Sequence, residues 1–256
     1  MCRIAAYLGP TLPLELFLRA PPHSLYRQSW APREMRTAVV NADGWGVAWF
    51  AGDGRPATYR NPLPVWADVN LDALGRSLHA RLWLGNVRSA TAGHGTDTLN
   101  TQPFADQRLA FTHNGFIADF PRSLRRRLRA VLDEHVEAEI VGNTDSEHLF
   151  ALVRQHPGDP GEALAAAIDR VRGWLADTDT EALLNAVVSD GRTLHAVRAA
   201  INAPAPSLYY HEAYPALSGG TVIASEPFDD DAGWREVPSG HRLRAGPDEP
   251  LRILPL

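Results

Sequence analysis

The chain has 256 residues, 45% of them hydrophobic, enough to build one sizeable core without disulfide staples. Its formal net charge is −5 and all 25 basic residues are arginine, a balance that argues against a chain whose task is to coat nucleic acid. One cysteine rules out an internal disulfide, and with neither a basic-then-apolar leader nor a run of eighteen apolar residues, a soluble cytoplasmic protein without a membrane partner is expected.

The cysteine is the second residue of "MCRIAAYLG", whose alternation reads as a strand. "GWGVAWF" at 44–50 and "LWLGNVR" at 82–88 read as buried strands. "RLAFTHNGFIADF" at 108–120 reads as two strands joined at the tight-turn dipeptide Asn114-Gly115. Helical periodicity then takes over in 122–134, 145–156 and 161–176, the last with an apolar stripe of Leu164, Ala167, Ile168 and Val171. The arginines at 122, 125, 126, 127 and 129 alternate with Leu124, Leu128 and Leu132, which reads as a solvated helix face, the alternative being an anion-binding patch. "ALLNAVVSDGRTLHAVRA" at 182–199 is a hairpin turning at Asp190-Gly191, and "GTVIASEPF", "WREVPSGHRL" and "LRILPL" return the tail to strand. Strands at both ends and helices grouped between them predict one domain over 2–256, with sheets packed on one another and covered by helices, an α+β layered fold.

The position of Cys2 determines its chemistry. Initiator methionine is normally removed before a small residue, which would leave Cys2 with a thiol and a free α-amine on one residue. The amine, ordinarily of pKa about 8, can then serve as general base for its own thiol. Other nucleophile patterns are absent: there is no G-x-S-x-G, no H-E-x-x-H and no C-x-x-C. "GNTDSEH" offers Asp145, Glu147 and His148 as metal ligands, but the pattern fits better a helix start capped by Asn143, Thr144 or Asp145, so neither metal nor cofactor is expected. A thiolate attacking an amide needs donors for the oxyanion. The Asn114 amide and the Gly115 N–H are candidates, against the plain alternative of a hairpin turn.

Cys2, "NADGWGVAWF", "GNVRSATAG", "NTQPF", "FTHNG" and "NTDSE" follow one another in an order that closely resembles the class II glutamine amidotransferases. The resemblance implies a four-layer αββα sandwich of the N-terminal nucleophile type, Cys2 as nucleophile, and Asn114 and Gly115 as oxyanion hole. It further implies that Arg88 grips the substrate α-carboxylate and Asp145 the α-ammonium. A γ-glutamyl group ends in a zwitterion, so a fork-shaped cation and a carboxylate are the pair such a site needs. Thr91 and Asn100 are expected to order the pocket, Trp45 in "DGWG" to line it or equally to fill the core at a strand-entry turn, and Ser225-Glu226 either to approach it or merely to end a strand. Ala92 stands where sugar-phosphate amidotransferases often carry histidine, which weakens the case for free glutamine as substrate. "LYRQSWAPRE", "VRSATAG" and "VIASEPFDDDAGWREVP" resemble the ergothioneine-biosynthesis branch of the family. That implies hydrolysis of the γ-glutamyl amide of γ-glutamyl-hercynylcysteine sulfoxide, a small-molecule substrate, with Trp30 and Trp45 as candidates to contact its quaternary ammonium. A generic glutaminase, an ammonia-supplying subunit and a silent glutamine-binding regulator are the alternatives. The sequence leaves a homo-oligomer open.

Overall fold

Strand β1, Arg3–Pro13, sends Ala5 and Tyr7 to one face and Ile4, Ala6 and Leu8 to the other, and the two sets enter different apolar clusters. In the computed structural model, which describes residues 2–35, 39–90, 97–247 and 249–256, this alternation recurs across two stacked sheets. The further strands are β2 Trp45–Phe50, β3 Pro56–Asn61, β4 His79–Val87, β5 Phe104–Ala105, β6 Ala110–Ile117 and β7 Ala182–Ser189. They continue with β8 Leu194–Arg198, β9 Ala200–Ile201, β10 Tyr209–Tyr214, β11 Gly220–Ala224, β12 Arg235–Glu236, β13 His241–Gly246 and β14 Glu249–Pro255. The first sheet runs β12-β10-β11-β1-β4-β2-β3 and the second β14-β13-β8-β7-β6-β5, with β9 also on β7.

Three clusters separate four layers. Ile4, Ala6, Leu8, Leu82, Leu84, Val187 and Ala196 lie between the sheets. Phe17, Leu18, Leu25, Trp45 and Trp83 fill the space between the first sheet and the short helices Leu14–Leu18, Leu25–Gln28 and Leu71–Ser77. Phe111, Leu184 and Val188 meet Leu149, Val153, Leu164 and Val171 of helices Asp145–Gln155 and Pro160–Leu175. Two-sided burial explains why β1 and β7 are apolar on both faces, unlike strands with one wet side. The architecture is the αββα sandwich.

The structure corrects two local expectations. The helix read over 122–134 is broken into Phe120–Ser123, Arg125–Arg129 and Glu134–Ala138, because Leu124 leaves helical geometry at φ −124° while burying its side chain. Arg122, Arg125, Arg126 and Arg127 are exposed beside buried Leu124 and Leu128, and Arg127 lies over the Trp174 ring at 5.6 Å. More consequentially, Asn114-Gly115 is no turn: β6 runs through it, pairing Asn114 with Asn185 and Gly115 with Leu184. Gly115 is required by proximity. A Cβ there would overlap the Leu183 carbonyl and come within 2.6 Å of His113 Nε2. The Asp190-Gly191 hairpin is present, with Gly191 at φ 86°.

Candidate active site

Cys2 precedes β1, which lies centrally in the first sheet between β4 and β11. Ile4 faces the space between the sheets, and Cys2, two residues away, shares that side by strand alternation. The thiol is buried, 7% exposed, and faces the Ser89 carbonyl at 3.9 Å. β4 runs antiparallel to β1, pairing Arg3 with Val87, so its end delivers Arg88 and Ser89 beside Cys2.

Arg88 is held by the turn before β2. Its backbone N–H donates to the Gly44 carbonyl at 2.8 Å, its carbonyl accepts from the Asp43 N–H at 3.0 Å, and Nη1 donates to the Asp43 carbonyl at 3.2 Å. The Asp43 carboxylate accepts from the Ala90 N–H at 2.8 Å. Gly44, at φ 121°, makes this turn and brings backbone against Thr101. "NADGWG" thus acts by clamping the arginine strand end.

Asn114 projects from β6 into the same inter-sheet space, as Thr112 does in taking a 3.0 Å bond from Asn86 Nδ2. Ser225, directly after β11, joins the two sheets: its Oγ accepts from the Ile4 N–H at 2.9 Å and from Asn114 Nδ2 at 3.3 Å. Asn114 Nδ2 keeps a second N–H, so the amide is fixed in place and still able to donate. Gln102 steadies the segment further, accepting from the His113 N–H at 2.6 Å and donating to the His113 carbonyl at 3.1 Å.

Asp145 begins the helix Asp145–Gln155, which Thr144 caps by accepting from the Glu147 N–H at 3.2 Å. Its carboxylate is oriented by two backbone donors, Ile117 at 2.6 Å and Ser146 at 2.7 Å. Ile117 lies two residues beyond Gly115 on β6, so acid and oxyanion candidates are held by the same strand. His113 faces the helix side, fully buried: Nε2 donates to the Leu183 carbonyl at 2.9 Å, leaving Nδ1 to accept from the Ser146 hydroxyl at 2.8 Å. Burial pushes His113 below its ordinary value, against the pull of the Asp145 charge. Asn100 binds the Asn143 N–H at 3.0 Å and Asp97, tying its loop to the start of the Asp145 helix.

The structure therefore sets Cys2 and Arg88 at adjoining ends of β1 and β4, Asn114 and Gly115 in the second half of β6, and Asp145 against the last residue of that strand, Ile117. It moves Trp45 out. That indole is fully buried on the helix side of the first sheet and donates to Asp68 Oδ2 at 3.1 Å, so its expected substrate contact is corrected to a core role. Trp30 is half-buried, edge-on to Tyr26 and Trp66, with the Arg27 guanidinium already over its ring at 5.3 Å. Met1, Thr91 and Ala92 lie outside the described residues. No three His, Cys, Asp or Glu side chains among the described residues are grouped to hold a metal ion. No helix among them is long and apolar enough to cross a membrane.

The sequence reading passed over Arg3 and left Glu226 open. Arg3 is fully buried, donating from Nε to the Cys2 carbonyl at 2.8 Å and from Nη1 to Glu226 at 3.2 Å. Glu226 also receives His23 at 2.7 Å and the Arg33 and Glu34 N–H groups at 2.8 and 3.0 Å. Burial alone would raise this carboxyl, but the His23 and backbone hydrogen bonds and the Arg3 charge outweigh it and hold it below the usual carboxylate range. An arginine inside the otherwise apolar run "CRIAAYL" was the available signal.

Residues 23–211 match the class II glutamine amidotransferase family model. The chain is 34% identical, over 94% of its length and 91% of that protein, to the γ-glutamyl-hercynylcysteine sulfoxide hydrolase of Mycobacterium tuberculosis. Its fold superposes on a class-II glutamine aminotransferase domain protein from Silicibacter pomeroyi with a TM-score of 0.73, at 28% identity and covering 99% of both chains. Against the glutamine phosphoribosylpyrophosphate amidotransferase of Bacillus subtilis the TM-score is 0.65 at 15% identity, covering 99% of this chain and 49% of that one. A chain with two stacked sheets, this order of motifs and a family-model match over most of its length belongs to the class II glutamine amidotransferases, and is an enzyme of that family.

Proposed function

We propose that this enzyme hydrolyses the γ-glutamyl amide of γ-glutamyl-hercynylcysteine sulfoxide through a glutamyl thioester on Cys2. The observation that carries the chemistry is the thiol facing the Ser89 carbonyl next to Arg88, at the start of a strand whose Ile4 N–H shares the Ser225 hydroxyl with the Asn114 amide. Arg88 takes the substrate α-carboxylate and Asp145 the α-ammonium, which leaves the γ-carbonyl over Cys2. The Cys2 amine, freed by loss of Met1, accepts the thiol proton as sulfur attacks the carbonyl carbon. The Asn114 amide and the Gly115 N–H receive the developing oxyanion, a contribution of about 3 kcal/mol per donor where one has been removed by mutation. Collapse breaks the C–N bond, and the ammonium returns its proton to the departing amine of hercynylcysteine sulfoxide. Water, deprotonated by the same amine, attacks the thioester and releases glutamate with the thiol restored.

The choice of leaving group is supported by the near full-length similarity to the mycobacterial hydrolase. Glutamate release from γ-glutamyl-hercynylcysteine sulfoxide and from glutamine, measured side by side, tests it. Faster turnover of the sulfoxide is expected; comparable turnover of free glutamine makes the protein a glutaminase or an ammonia-supplying subunit. Cys2→Ala should remove turnover by several orders of magnitude and leave the fold intact, since the only side-chain bond described for Cys2 is the long one to Ser89.

A further inference from the structure

The charged cluster behind Cys2 is used by no step above, and it sits on the opposite face of the sheet from the thiol. By alternation Arg3 points with Ala5 and Tyr7 to the helix side, yet it curls back to its neighbour's carbonyl. We propose that the Arg3–Glu226 pair sets the basicity of the Cys2 α-amine: the guanidinium, anchored on the Cys2 carbonyl, disfavours protonation of the adjacent amine, and Glu226 limits that effect. Both are positioning residues, and the proposal rests on Cys2 being the first residue of the mature chain.

Geometry fixes the coupling. Nε lies 2.8 Å from the Cys2 oxygen, and the amine of the same residue is three bonds from that oxygen, so amine and guanidinium lie within about 6 Å. Like charges at that range in a partly buried site shift an amine by about two units before compensation, and by about one with a counter-ion present. Compensation is incomplete here. Glu226 divides its two oxygens among Arg3, His23, Arg33 and Glu34, and Arg3 Nη2 is buried with no partner in the described residues. Burial pulls the guanidinium below its ordinary value, opposed by the charges of Glu226, Cys2 and Glu34.

Other charged groups surround this end of β1. Arg88 arrives from β4 and Asp43 from the turn before β2. His23, Arg33 and Glu34 come from the segment after β1, and Asp145 stands beyond β6. Arg3 alone among them bonds the Cys2 carbonyl, and Glu226 acts through it.

An ordinary α-amine, of pKa about 8, would be mostly protonated at neutral pH and unable to act as base. The chain's single cysteine makes the test direct, because 15N-cysteine labels one amine only. NMR titration of the labelled enzyme should place its midpoint about one unit below the ordinary value; a midpoint at about 8 or higher overturns the proposal. On the kcat/KM profile the acid limb should rise by about two units in Arg3→Met, move down by about one in Glu226→Gln and stay in place in Arg3→Lys. An unmoved limb in Arg3→Met, or shifts of the same sign in the first two variants, also refutes it. The wild-type titration decides the matter even where a variant fails to fold. Cys2→Ala separates the two readings: full activity there removes the nucleophile, whereas an inactive Cys2→Ala with an ordinary amine removes only the role of Arg3 and Glu226.

Discussion

Gly115→Ala adds one methyl group where the structure leaves no room. The new Cβ would overlap the Leu183 carbonyl, lie 2.5 Å from the Leu183 carbonyl carbon and 2.6 Å from His113 Nε2. Backbone of β7 and a fully buried ring cannot swing aside as an exposed side chain would. Overpacking a core costs typically 1–3 kcal/mol, and a clash against backbone belongs at the upper end, about 3 kcal/mol. For a chain of this size that is a loss of about 6–12 °C in Tm, read by calorimetry or thermal circular dichroism. Relief of the clash must part β6 from β7, which displaces Asn114 from its Ser225 anchor. Turnover should therefore fall as well, by about a hundredfold if one oxyanion donor is lost. Gly54→Ala is the control: its φ is 79° with nothing within 4 Å of a new Cβ, so only the left-handed backbone is penalised, by about 1 kcal/mol, with turnover unchanged. A Gly115→Ala protein within about 2 °C of the parent, with full activity, would refute the proximity argument.

Other expectations follow from the same geometry. Asp145→Asn leaves one acceptor oxygen for two backbone donors, so an N–H of Ile117 or Ser146 loses its partner at about 1–3 kcal/mol, and KM should rise at least tenfold through loss of the ammonium partner; unchanged KM would remove Asp145 from the site. Stability should decline in mild acid. His113, His148 and His195 are all held below the ordinary histidine value, by burial first. Burial thus favours the neutral form of each in the folded chain, and its contribution is complete above about pH 6.5 and lost as pH falls, at up to about 1.4 kcal/mol per pH unit per histidine. Urea unfolding at pH 7.5, 6 and 5 checks this, with His113→Gln expected to reduce the slope by about one proton; a flat profile would contradict it. Glu226, held below the carboxylate range, adds a further loss only at lower pH.

What the sequence determined by itself was whatever local pattern and motif order encode. Cys2 beside the initiator, the alternation of β1, β2, β4 and β7, the Asp190-Gly191 hairpin and the cap before Asp145 all depend on neighbours in the chain. Motif order, read as a family resemblance, supplied the four layers and the expectation that Arg88 and Asp145 act as a pair. Tertiary structure decided what proximity alone decides. Asn114-Gly115 reads locally as a turn, but pairing with Asn185 and Leu184 stretches it into mid-strand and makes the glycine a matter of clearance to Leu183. Trp45 reads as a pocket residue beside two glycines, but which face of the sheet it takes depends on strand register, and register buries it. Arg3 and Glu226 are 223 residues apart, and no local pattern could pair them; only the meeting of β1 and β11 makes a buried arginine and a buried glutamate tolerable, because each carries the other's charge.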